Sequence, residues 1–109
     1  MTIMEKAETL GKALANSSEY TELKEAESKI RDNEKASSLM DEFESQQKRL
    51  QMAQANGQQI TPKQQKNIQS LQAKMQENDV IKEYMEAQQK FNKVMKTVNQ
   101  VITEQLQQT

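Results

Sequence analysis

The sequence predicts an all-α protein: a helical hairpin or bundle with two long antiparallel helices and shorter flanking helices, in an oligomeric state. Three observations carry that expectation. Glycine and proline are nearly absent, two and one in 109 residues, while Glu, Lys, Gln, Ala, Leu and Met, all good helix formers, fill the chain. Apolar residues recur at spacings of three and four, the signature of one face of a helix. Only 34% of residues are hydrophobic and 4% aromatic, and the mean hydropathy is -1.01. The apolar surface of a lone chain is therefore small beside the entropy of ordering it. Partial disorder or self-association would resolve the deficit, and the strength of the helix formers favours self-association.

The elements follow in order. Ile3, Ala7, Leu10 and Leu14 form one stripe, so a first helix is expected from Thr2 to about Ala15. Ser17 or Ser18 can cap the next helix, with Glu19 in its first turn and a stripe of Tyr20, Leu23, Ala26 and Ile30. Asp32 or Asn33 is the expected cap of a third helix, whose apolar positions are Ala36, Leu39, Met40, Phe43, Leu50 and Ala53. Gln46 and Gln47 fall where that stripe should continue, and the sequence leaves open whether they meet a partner or face water.

The stretch QANGQQITPKQQ, Gln54 to Gln65, then supplies a stop and a restart. Asn56 and Gly57 tolerate the left-handed conformation that ends helices. Thr61 is the expected cap, Pro62 the first helical residue, and Gln64 the partner in a capping box, so about four residues turn the corner of an antiparallel hairpin. Ile68, Leu71 and Met75 mark the fourth helix, and Asn78 can cap a fifth running from Asp79 to Leu106. That last helix carries the strongest pattern, Ile81, Tyr84, Phe91, Met95, Val98 and Ile102, with Gln88 filling one polar seam position. The predicted core or oligomer interface is thus Leu39, Phe43, Leu50, Ile68, Leu71, Ile81, Tyr84, Phe91, Met95, Val98 and Ile102. Residues 1–109 read as a single domain.

Chemistry is scarce. The absence of histidine and cysteine removes the commonest general base and the usual soft metal ligands. Carboxylate pairs such as Asp41/Glu44 and Glu83/Glu86 have the spacing of helical di-metal sites but lack the histidine those sites use. Gly11 and Gly57 stand alone, so no phosphate loop is present. Fifteen basic and sixteen acidic residues are interspersed, unlike the basic patch of a nucleic-acid binder. The N-terminal Glu5 and Glu8 interrupt any signal-peptide run, and no stretch has the length of a membrane span. The expectation is a cytoplasmic non-enzyme without cofactor, catalytic residue or metal site. Its partners are a second copy of itself and further proteins, with no membrane and no nucleic acid. An accessory protein of RNA processing or decay is the alternative.

The runs SSEYTELKEAESKIRDNEKASSLMDEFESQQKRLQMAQANGQQIT and NDVIKEYMEAQQKFNKVMKTVNQVI resemble the YheA/YmcA/YlbF family of small helical proteins of Gram-positive bacteria. The resemblance rests on Ser18 to Ala26, Asp32 to Gln46, the Gly57 to Thr61 turn and Val98 to Ile102, and the turn is most similar to the YheA branch. It implies two long helices and an oligomer. For the YmcA and YlbF branches it also implies regulation of competence, sporulation and biofilm formation, through a complex that acts on an RNA-decay endoribonuclease and can carry iron–sulfur clusters. A chain without cysteine cannot hold such a cluster in the usual way, so that function is not carried over.

Overall fold

The structure, a computed structural model, describes residues 2–108. Among these residues five helices follow one another: α1 (Ile3–Ala15), α2 (Ser18–Asp32), α3 (Glu34–Ala55), α4 (Pro62–Glu77) and α5 (Asp79–Gln107). No strand occurs among the described residues.

Side chains capable of accepting from exposed amides start every helix. Thr2 accepts from Glu5 N–H at 3.1 Å, and Asn33 accepts from Ala36 N–H at 2.9 Å. Ser17 joins α1 to α2: its hydroxyl accepts from Tyr20 N–H at 3.2 Å and donates to the Leu14 carbonyl at 2.6 Å. Asn78 Oδ1 accepts from Val80 and Ile81 N–H at 3.0 and 3.1 Å. Each bond accepted by these side chains satisfies an amide that has no partner inside its own helix.

Residues 56–61 connect α3 to α4, six residues where the sequence suggested about four, because the caps at both ends belong to the connection. Among the described residues Gly57 alone takes a positive φ, 73°, while Asn56 stays at φ -90°. Gln58 N–H reaches the Ala53 carbonyl at 2.8 Å and Gly57 N–H the Gln54 carbonyl at 3.1 Å. This is the paired bonding of a Schellman stop. At the restart, Thr61 Oγ1 accepts from Gln64 N–H at 3.1 Å while Gln64 Oε1 accepts from Thr61 N–H at 3.0 Å. Pro62 occupies the first turn, where its missing amide costs nothing. With both ends fixed, α3 and α4 pack on each other as a hairpin.

The chain divides into two compact units, one formed by residues up to Glu27 with those from Tyr84 onward, the other by Ser28–Glu83. In the second unit Ile30, Ala36, Leu39, Leu71, Met75 and Ile81 are buried, Ile81 completely at 0% exposure. Phe43, Leu50 and Ile68 are half-buried along the hairpin. Lys29 of α2 bonds Glu83 of α5 at 3.0 Å across this unit. Both groups are exposed, so the pair contributes little to stability.

Gln46 resolves one question that the sequence left open. It is half-buried on the α3 seam, and its Oε1 is buried without a hydrogen-bond partner among the described residues. Gln47 faces solvent. A buried acceptor left unmade costs about 1 to 3 kcal/mol. Gln46→Leu is therefore expected to stabilise the hairpin by about 1 kcal/mol, read as a rise in thermal midpoint.

The two glycines should respond in opposite directions. A Cβ at either would meet nothing within 4 Å, so backbone conformation alone decides the sign. Gly57→Ala at positive φ is expected to destabilise by about 1 to 2 kcal/mol. Gly11→Ala, inside α1, is expected to stabilise by about 0.5 to 1 kcal/mol. Urea titrations of the two variants check both.

Candidate interaction surface

The first unit combines α1 and the part of α2 up to Glu27 with α5 from Tyr84 onward. Leu23 and Ala26 of α2 meet Ala87 of α5, and Tyr84 and Phe91 pack against this cluster from the side. The Tyr20 and Phe91 rings lie 5.2 Å apart, tilted by 52°, within the range where aromatic pairs attract. Lys24 sits 5.3 Å over the Tyr20 ring and 3.3 Å from the Glu27 carboxylate. The Tyr20 side chain, and after it Glu27, hold its ammonium pKa above the ordinary value. The Ser18 hydroxyl donates to Glu19 Oε1 at 2.8 Å. That bond, followed by the Glu19 backbone amide, holds the Glu19 carboxyl below its usual range. Lys90 completes the edge with an exposed 3.6 Å pair to Glu22.

The α5 seam corrects the sequence pattern at one residue. Gln88, assigned to the seam, is exposed, and the buried position is Ala87. At about 100° per residue the two fall about 50° on either side of the line through Tyr84 and Phe91. Heptad spacing alone does not separate them. The small Ala87 side chain admits Leu23 and Ala26, so α2 lies on that side and leaves the Gln88 side to solvent.

Burial then decays along α5. Ile81 and Ala87 are buried, Phe91, Val94, Met95 and Val98 are half-buried, and beyond them Val101 is 52%, Ile102 48% and Leu106 72% exposed. The apolar spacing continues while its cover does not. Helix α1 is similar: none of its residues is buried, and Ile3 is 83% exposed. The second unit also exposes Met52 and Ile60, on either side of the hairpin turn. Of the residues predicted from sequence, Leu39, Leu71 and Ile81 are buried. Phe43, Leu50, Ile68, Tyr84, Phe91, Met95 and Val98 are half-buried, and Ile102 is exposed. Ala87, the contact that the sequence reading missed, is signalled only by its size.

Open concavities of about 700 and 520 Å³ lie along α5, the first between Asn92 and Glu104 and the second between Glu86 and Lys96. A cleft of about 80 Å³ on the hairpin is lined by Gln46, Arg49 and Leu50 of α3 with Gln64, Asn67 and Ile68 of α4. Among the described residues no three His, Cys, Asp or Glu are grouped to hold a metal ion. No helix among them is long and apolar enough to cross a membrane.

Comparison with known proteins places the chain. The family model described as control of competence regulator ComK, YlbF/YmcA, matches residues 3–107. A UPF0342 protein of Desulfitobacterium hafniense is 35% identical over 102 residues, 94% of this chain and 78% of the relative. Another from Pediococcus pentosaceus is 30% identical over 108 residues, 99% of this chain and 95% of the relative. A solved protein of unknown function (DUF964) from Bacillus stearothermophilus superposes with a TM-score of 0.86 at 25% identity, covering 96% of this chain and 92% of its own. Bacillus subtilis RicA, solved in complex with RicF, shares the fold with a TM-score of 0.77 at 12% identity, covering 97% and 94% of the two chains. The match over nearly the whole length, together with the fold shared with the solved Bacillus stearothermophilus protein, makes this chain a member of the YlbF/YmcA family.

Proposed function

We propose that the protein is a non-enzymatic cytoplasmic adaptor that self-associates and binds protein partners in the regulation of competence or a related developmental process. The observation that carries this reading is uncovered surface. Along α1 Ile3, Met4 and Leu10 are exposed, and along α5 Val101, Ile102 and Leu106 are exposed. Exposed apolar patches of that kind mark interaction sites.

Family membership supports the regulatory direction, and the RicA–RicF complex supports protein partners as the mode of action. The turn Gly57-Gln-Gln-Ile-Thr61 supports placement in the YheA branch. The interaction surface needs only packing, in keeping with a chain whose carboxylates and lysines lie on solvated helix faces.

Sedimentation equilibrium at micromolar concentration is expected to give a dimer or higher species, and a stable, well-folded monomer would contradict the reading. Phe91→Ala, at a half-buried ring, is expected to cost about 2 kcal/mol, below the range for a fully buried phenylalanine. Thermal midpoint and association should fall together, and an unchanged midpoint would contradict the packing. Capture from the native cytoplasm, with the bound proteins identified by mass spectrometry, is expected to recover regulatory proteins. Recovery of metabolites or enzyme substrates alone would contradict the adaptor reading.

A further inference from the structure

We infer that Asn56 is a self-modification site: its side chain deamidates by attack of the Gly57 nitrogen, the folded helix stop holds that reaction back, and the product disables the stop. Of the seven asparagines only Asn56 precedes a glycine. The nucleophile in asparagine deamidation is the backbone nitrogen that follows, and a glycine nitrogen is the least shielded because no Cβ stands beside it. Both residues are exposed, so the water that completes the reaction has access.

The chemistry needs only the chain and water. The Gly57 nitrogen bonds to the Asn56 side-chain carbonyl carbon, the bond from that carbon to Nδ2 breaks, and ammonia leaves with the Gly57 amide proton. Water then opens the cyclic imide at either of its carbonyls. One opening gives aspartate. The other, which dominates in open chains, gives isoaspartate, whose main chain runs through the side chain of residue 56.

The folded corner blocks the first step twice. At ψ 7° the Gly57 nitrogen lies beside the Asn56 backbone nitrogen, whereas ring closure needs it beside Asn56 Cβ. Its N–H also donates to the Gln54 carbonyl at 3.1 Å. Rotation of ψ at Asn56 swings the next peptide away, so it breaks this bond together with the 2.8 Å bond from Gln58 N–H to the Ala53 carbonyl. Attack therefore proceeds from an opened corner, and local opening sets its rate.

Once formed, isoaspartate cannot restore what was opened. It adds a backbone atom between the Asn56 amide, which donates to the Met52 carbonyl at 3.1 Å, and the Gly57 and Gln58 amides that follow. The bonds of the stop then no longer share one register. The new carboxylate also lies at the C-terminal end of α3, where helix carbonyls concentrate negative charge and the last turn holds no basic residue. Deamidation is thus a one-way loosening of the hairpin corner, gated by the stability of the corner itself.

The full-length protein is incubated at mildly alkaline pH, folded and in denaturing urea, beside an Ala53→Gly variant that weakens the last turn of α3. Peptide mapping by mass spectrometry follows conversion at Asn56, with Asn67, inside α4 and followed by Ile68, as internal reference. Two backbone bonds that open together are expected to slow conversion in the folded protein about tenfold or more relative to urea. The variant should fall between the two. Equal rates in folded and unfolded protein, or a variant no faster than folded wild type, would overturn the gate. Conversion at Asn56 no faster than at Asn67 in urea would overturn the site.

Amide exchange reads the consequence. In protein converted to isoaspartate and returned to native buffer, exchange at Gly57 and Gln58 is expected to be about tenfold faster or more than in wild type, with protection at Leu71 retained. Wild-type exchange at Gly57 and Gln58 would overturn the loosening.

Discussion

An apolar stripe that outlasts its cover is the constraint on which the rest depends. Helix α5 runs for 29 residues, about 43 Å at 1.5 Å per residue, and keeps apolar residues at three-and-four spacing through to Leu106. Helix α2, which covers it at Tyr84, Ala87 and Phe91, has 15 residues. A shorter helix cannot dry a longer stripe. With 34% hydrophobic residues, the chain has little other apolar surface to offer. The lack of buried residues in α1 extends the same deficit to the N-terminal helix.

Against that weak core, local chemistry fixes where each element begins. Thr2, Ser17, Asn33, Thr61 and Asn78 each accept from amides in the first turn that follows. A cap of this kind is worth about 1 kcal/mol, a substantial amount in a small protein whose total stability is modest. The central turn adds a Schellman stop at Gly57 and a reciprocal box at Thr61 and Gln64. Helix ends in this chain are therefore specified by a few polar side chains, and packing is asked only to hold the helices together.

This division explains what was legible in the sequence. Five helices, the caps at Asn33, Thr61 and Asn78, and the corner at Gly57 follow from neighbours within a few residues, and local rules read them well. Choices between adjacent positions on a seam depend on which side a second helix occupies. The exchange of Gln88 for Ala87 belongs to this class, since both flank the line through Tyr84 and Phe91 and only the position of α2 separates them. Gln46 is similar: its place on the α3 stripe is evident from spacing, and its unpartnered oxygen emerges only when α3 and α4 are packed. A stripe shows that a face needs cover, as at Ile3 or Ile102, without showing what provides it.

Membership of the YlbF/YmcA family and the uncovered end of α5 motivate the proposal that this helix is completed by another polypeptide, a copy of itself. Backbone amide exchange measured across a hundredfold range of protein concentration tests it most directly. Protection at residues 94–106 is predicted to fall on dilution while protection around Ile81 holds. Exchange at residues 94–106 that is equally fast at every concentration would contradict the account.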